Sequence, residues 1–132
     1  MKGFHGNIEQ LSLDNDTFRT VLYTGKHLQL VVMSIPVGGE IGQEVHDEND
    51  QFIRIEQGTG KAIIDGNEYE LADGDVVLIP QGAEHNVLNT SRDTVLKLYT
   101  LYGPSHHEDG TVQATKEEAD ADDEHFDGKT TE

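Results

Sequence analysis

Cysteine and tryptophan are absent from this chain, and basic residues are scarce. Without cysteine there is no disulfide, no thiolate nucleophile and no sulfur-ligated zinc or iron–sulfur site, although the absence does not decide between cytosol and exterior. Nine lysines and arginines stand against 26 aspartates and glutamates, a formal charge of −17. Such a surface repels a phosphate backbone over most of its area, so nucleic acid is excluded as a partner. No apolar run approaches a membrane span, and the opening M-K-G-F-H-G-N-I-E-Q lacks the apolar stretch of a secretory signal. A cytoplasmic protein with no membrane partner is expected.

Several chemistries are missing as well. There is no G-x-x-x-x-G-K-[ST] loop for nucleotide phosphates and no G-x-S-x-G elbow, and Ser12, Ser34, Ser91 and Ser105 have no evident base beside them. No internal repeat is present, and no helix-period segment of useful length precedes residue 115.

With 132 residues and 34% apolar content, the chain can bury one core. Residues 1–115 are read as that single domain. From residue 116 onward, 8 of 17 residues are acidic, a composition that buries too little apolar surface to offset ordering. This acidic tail, residues 116–132, is expected to be disordered or to form a short helix at 116–125. The overall acidity suits a protein kept soluble in high salt and equally an ordinary acidic protein with a solvated tail.

What is present is strand. Segments 17–24 and 28–35 are rich in β-branched and aromatic residues and are joined by G-K-H. Further strands are read at 44–46, 51–57, 60–64, 68–71, 75–79, 85–89 and 95–102, with D-G-N marking a hairpin between two of them. Many short strands with close turn signals define an all-β barrel or sandwich. Segment 28–35 is apolar on both faces, which a strand with one wet face does not need. That excess, with Val21, Tyr23 and 76–79, predicts a second buried surface and a homodimer packed sheet on sheet.

The most informative stretch is 74–89, G-D-V-V-L-I-P-Q-G-A-E-H-N-V-L-N: a strand, a Pro-Gly turn and a histidine at a fixed offset. Side chains alternate across a strand, so a turn of set length decides which way His85 points. Upstream, Glu44 and His46 are two apart and share a face if extended. Gln51 follows the polar D-E-N-D turn, with Gln51, Ile53 and Ile55 on one face and Phe52, Arg54 and Glu56 on the other.

These segments resemble the paired motifs of the cupin superfamily. The first, G-x5-H-x-H-x4-E-x6-G, is met by Gly38, His46 and Gly58, with Glu44 in place of the first histidine and Gln51 in place of the glutamate. The second, G-x5-P-x-G-x2-H-x3-N, is met throughout by Gly74, Pro80, Gly82, His85 and Asn89. With the flanking strands, the likeness extends over roughly residues 8–102.

The resemblance implies an antiparallel β-barrel of the double-stranded β-helix (jelly-roll) type. It also implies one divalent transition metal ion held by Glu44, His46, Gln51 and His85. Two histidines and a carboxylate suit Fe, Mn, Ni, Co or Zn. A metal-dependent enzyme on a small molecule, dioxygenase-like or sugar-isomerase-like, is one reading; a non-catalytic module that binds or senses a small ligand is the other. Arg54 or Tyr99 can orient an anionic substrate only if they face inward, and alternation already turns Arg54 away from Gln51. The adjacent His106 and His107 lie in a polar loop and are read as solvent-exposed; the alternative places them as a lid or proton carrier at the barrel mouth.

Overall fold

Short runs of alternating inward apolar and outward polar residues, punctuated by glycine turns, fold here as strands. In the computed structural model, which describes residues 1–132, 41% of residues are strand and 10% helix. The elements in order are α1 (Ile8–Asp14), β1 (Arg19–Thr24), β2 (Gln29–Ile35), β3 (Glu44–Val45), β4 (Asp50–Gln57), β5 (Gly60–Ile64), β6 (Asn67–Leu71), β7 (Val76–Ile79), β8 (Glu84–Asn89), β9 (Leu96–Gly103), β10 (Val112–Gln113) and α2 (Lys116–Ala121). No helix is long and apolar enough to cross a membrane.

The strands form two antiparallel sheets, β10-β1-β2-β9-β4-β7 and β3-β8-β5-β6. Val31, Met33, Ile53, Ile55 and Leu98 of the larger sheet share one core with Ala62, Leu71 and Val87 of the smaller. The alternation in β4 falls as the sequence predicts: Gln51, Ile53 and Ile55 are buried, while Phe52, Arg54 and Glu56 lie on the opposite face, half-buried. Asp65 and Gly66 both take positive φ, 47° and 81°, as a tight D-G hairpin requires.

Helix α1 adds a short element where no helix-period segment of useful length is expected before residue 115. Its seven residues make two turns, too few for a periodic signal, and its start is set by Asn7, whose side chain accepts the Gln10 N–H at 2.9 Å. It packs on β2, β9 and β4. Lys97 Nζ reaches the Leu13 carbonyl at 2.8 Å and the Asn15 carbonyl at 2.5 Å, tying the end of the helix to β9. Ser34 is buried on the same side and donates to the Asn15 carbonyl at 2.5 Å. Helix α1 thus covers the Ser34 end of β2, while Leu30 at the other end stays partly exposed.

The loop after β9 is also more ordered than its polar sequence implies. Val112–Gln113 adds a strand beside β1, and α2 is capped by Thr115, which accepts the Glu118 N–H at 3.1 Å while Glu118 accepts the Ala114 N–H at 2.8 Å. At the chain end, Glu132 accepts from the Lys2 and Gly3 amides and from Tyr23.

Asn89, at the end of β8, is 5% exposed and joins three segments. Its amide donates to the carbonyls of Ile35 (3.0 Å), Pro36 (3.2 Å) and Thr94 (3.0 Å), and its oxygen accepts the Ser91 N–H at 2.9 Å. Asn89→Ala strands these groups and is expected to remove about 2–3 kcal/mol of stability, read from urea unfolding at unchanged slope. A loss below about 0.5 kcal/mol contradicts this role.

Candidate metal centre

The pairing of β3 with β8 brings the first two site residues together: Glu44 stands directly opposite His85. The register is held by the turn after β7. Gly82 takes φ 86°, a conformation glycine adopts without strain, and its N–H donates to the His46 carbonyl at 2.9 Å. His46 Nε2 lies 3.4 Å and His85 Nε2 3.7 Å from Glu44 Oε1. One donor atom from each of Glu44, His46 and His85 falls within 4.8 Å of the others, so these three can hold a metal ion.

Hydrogen bonds around the cluster decide which atoms are free. His85 Nδ1 lies 3.0 Å from the Ala83 carbonyl and must donate to it, which leaves the Nε2 lone pair facing Glu44. Gln51, the first inward residue of β4, donates through Nε2 to Thr100 Oγ1 at 3.0 Å. Its Oε1 is consequently turned away from Thr100. His85 Nε2, Gln51 Oε1 and His46 Nδ1 are all buried without a partner. Orphaned buried polar atoms are uncommon and costly, about 1–3 kcal/mol each; the other two in the chain are Ser12 Oγ on α1 and Arg19 Nε on β1.

The electrostatics agree. Burial pushes the Glu44 carboxyl up, but the His46 and His85 imidazoles beside it together outweigh this and hold the group well below the usual carboxylate range. Burial lowers His85, yet the Glu44 carboxylate and the Ala83 carbonyl reverse this and raise it. The carboxylate is anionic and favours a positive charge beside it, a proton or a cation. A carboxylate oxygen and two imidazole nitrogens are a set that divalent transition metals accept, and the residues fit such an ion.

Arg54 and Tyr99, considered as substrate-orienting groups, both face outward, and Arg54 pairs with Glu56. The adjacent histidines also depart from the exposed reading. His107 is 5% exposed, and the His106 ring packs 4.4 Å from that of His46 and 5.2 Å from that of Tyr102. Their backbone N–H groups both donate to buried Gln29 Oε1, at 3.0 and 2.9 Å. His107 Nδ1 donates to Glu124 Oε1 at 2.6 Å, and its Nε2 lies 3.3 Å from the Tyr102 hydroxyl. Burial, then His107 and His46, lowers His106 to about 4. Burial also lowers His107 against the pull of Glu124 and raises Tyr102. Nothing local in S-H-H-E foretells this, because the partners come from β2 and the tail.

This chain belongs to the cupin family. The family's model, the cupin domain, matches residues 31–102. YrkC of Bacillus subtilis is 44% identical over 124 residues, covering 89% of this chain and 66% of that protein, so the chain spans just under two thirds of that relative. The crystal structure of BH2720 from Bacillus halodurans superposes with a TM-score of 0.89 at 42% identity, over 92% of this chain and 96% of that one. Quercetin 2,3-dioxygenase of Bacillus subtilis is 31% identical over 84 residues, 64% of this chain and 25% of the enzyme.

The Glu124 contact yields a pH prediction. Burial raises this carboxyl, but the His107 hydrogen bond and charge, the Glu108 N–H and Arg19 together outweigh it and the pKa is lowered, so its contribution is present above the ordinary glutamate range and lost as pH falls through the folded value. Glu124→Gln is expected to lower the thermal midpoint at pH 7, with the gap to wild type closing in acid below the ordinary glutamate pKa of about 4.3. A gap that stays constant deep into acid contradicts the pairing.

Proposed function

We propose that the chain is a metal-binding cupin that takes a small molecule, with one divalent transition metal held by Glu44, His46 and His85 and by the carbonyl oxygen of Gln51. The two sheets close on each other as the family's jelly-roll barrel and enclose the site. The observation that carries the reading is the set of buried, partnerless donors, His85 Nε2 and Gln51 Oε1, in a protein whose Glu44 carboxylate is held anionic. Bound there, Fe, Mn, Ni, Co or Zn supplies Lewis-acid character or, for the redox-active ions, electron transfer to a small molecule. The protein's own part is orientation: Ala83 fixes the His85 tautomer, Thr100 fixes the Gln51 amide, and Glu44 offsets cationic charge.

An enzyme of dioxygenase-like or isomerase-like type is the favoured class, supported by the partial likeness to quercetin 2,3-dioxygenase. A non-catalytic binding or sensing module is the second reading, supported by the His106 and Tyr102 rings packed against His46.

Elemental analysis of tag-free, chelator-free protein is expected to give about one equivalent of a single transition metal. His85→Ala should cut the affinity by about tenfold or more, and Gln51→Glu should raise it if position 51 ligates. No metal, and no thermal shift with any of the five ions, would overturn the metal reading and leave a binding module for organic ligands.

We also infer a homodimer on the outer face of the larger sheet. The register aligns Leu30 with Leu101, Leu101 with Phe52 and Phe52 with Leu78, an outward apolar row across four strands. Leu78 is 69% and nearby Leu28 55% exposed. Light scattering is expected near twice 14.6 kDa, falling to the monomer in Leu78→Asp; a monomeric wild type contradicts this.

A further inference from the structure

We infer that His106 is a ligand-binding residue of the metal centre: its Nε2 is a fixed hydrogen-bond acceptor for the hydroxyl of a small hydroxyl-bearing molecule bound beside His46. This deepens the metal-centre reading and rests on it.

The direction of the His106 ring follows from its partners. Asn49 Nδ2 donates to the Pro104 carbonyl at 2.5 Å and reaches the Ser105 carbonyl at 3.4 Å, so the amide orientation is settled and Oδ1 can only accept. His106 Nδ1 sits 3.0 Å from that Oδ1 and must carry the hydrogen. The proton on Nδ1 leaves the lone pair on Nε2. No protein group pairs with Nε2, and unlike the buried orphan atoms of His46 and His85 it is not sealed from solvent.

The ring is held as firmly as a ligand contact requires. It stacks on Tyr102 with an interplanar angle of 24°, its N–H is tied to Gln29, and its carbonyl accepts the Phe126 N–H at 2.9 Å. Such anchoring removes the ordering cost that a mobile side chain brings to binding. His106 and its tail partners lie outside the matched cupin domain, which ends at residue 102.

The open acceptor selects the class of ligand. An enol, phenol or polyol brings an O–H donor to it, whereas a ligand without a donor gains nothing from His106.

The test uses cobalt(II)-loaded full-length protein without oxygen, titrated with catechol as a neutral dihydroxy probe and with azide as an anion lacking a donor, both followed by the cobalt visible bands. In His106→Ala we expect unchanged cobalt content, unchanged azide affinity and catechol binding weakened about tenfold. His106→Gln, which keeps an acceptor oxygen, should recover part of the loss. Equal catechol affinity in wild type and His106→Ala overturns the assignment. So does a wild type that binds cobalt but not catechol, or cobalt lost in His106→Ala. A wild type that holds no cobalt overturns the metal reading, and this assignment with it.

Discussion

Glu44 facing His85 across the β3–β8 pair is the contact on which the rest of the site depends. A shift of one residue in that register would send every side chain of the short strand to the opposite face. β3 is only two residues long and cannot fix its own alignment. The alignment comes from the turn that precedes β8, where Gly82 binds the His46 carbonyl, and from the smaller sheet behind it, where β5 pairs with β8 over five residues. The glycine and proline spacing of the second motif is thus a positioning device for a charge cluster.

That cluster is built at an energetic cost. Glu44 and two histidines are brought close together, and nitrogen and oxygen atoms of His46, Gln51 and His85 are buried without partners. A fold stabilised by only about 5–15 kcal/mol does not retain such groups through packing alone. Their surroundings are by contrast well satisfied: Gln29, Asn49, Thr100 and Asn89 are buried with their amides or hydroxyl in use.

Much of this was legible in the sequence because it depends on local rules. Alternation placed Gln51, Ile53 and Ile55 inward, and D-G marked a hairpin that has the required positive φ values. Spacing in the two motifs brought Glu44, His46 and His85 together. The remainder depends on contacts between distant segments. Helix α1 is too short to announce itself by period, yet it covers the Ser34 end of β2. His106 and His107 read as exposed because their own neighbours are polar; Gln29, 77 and 78 residues away, and Glu124, 17 residues on from His107, draw them inward. In the tail, α2 (Lys116–Ala121) lies where a short helix at 116–125 is one of the two expectations, and Thr115 caps it.

The most direct test is a crystal structure of cobalt-soaked protein with data collected at the cobalt absorption edge. The account predicts a single anomalous peak bounded by Glu44, His46 and His85, with the Gln51 carbonyl oxygen turned toward it. A peak held by other residues, or no peak in well-ordered crystals, would contradict the assignment of these side chains as a metal centre.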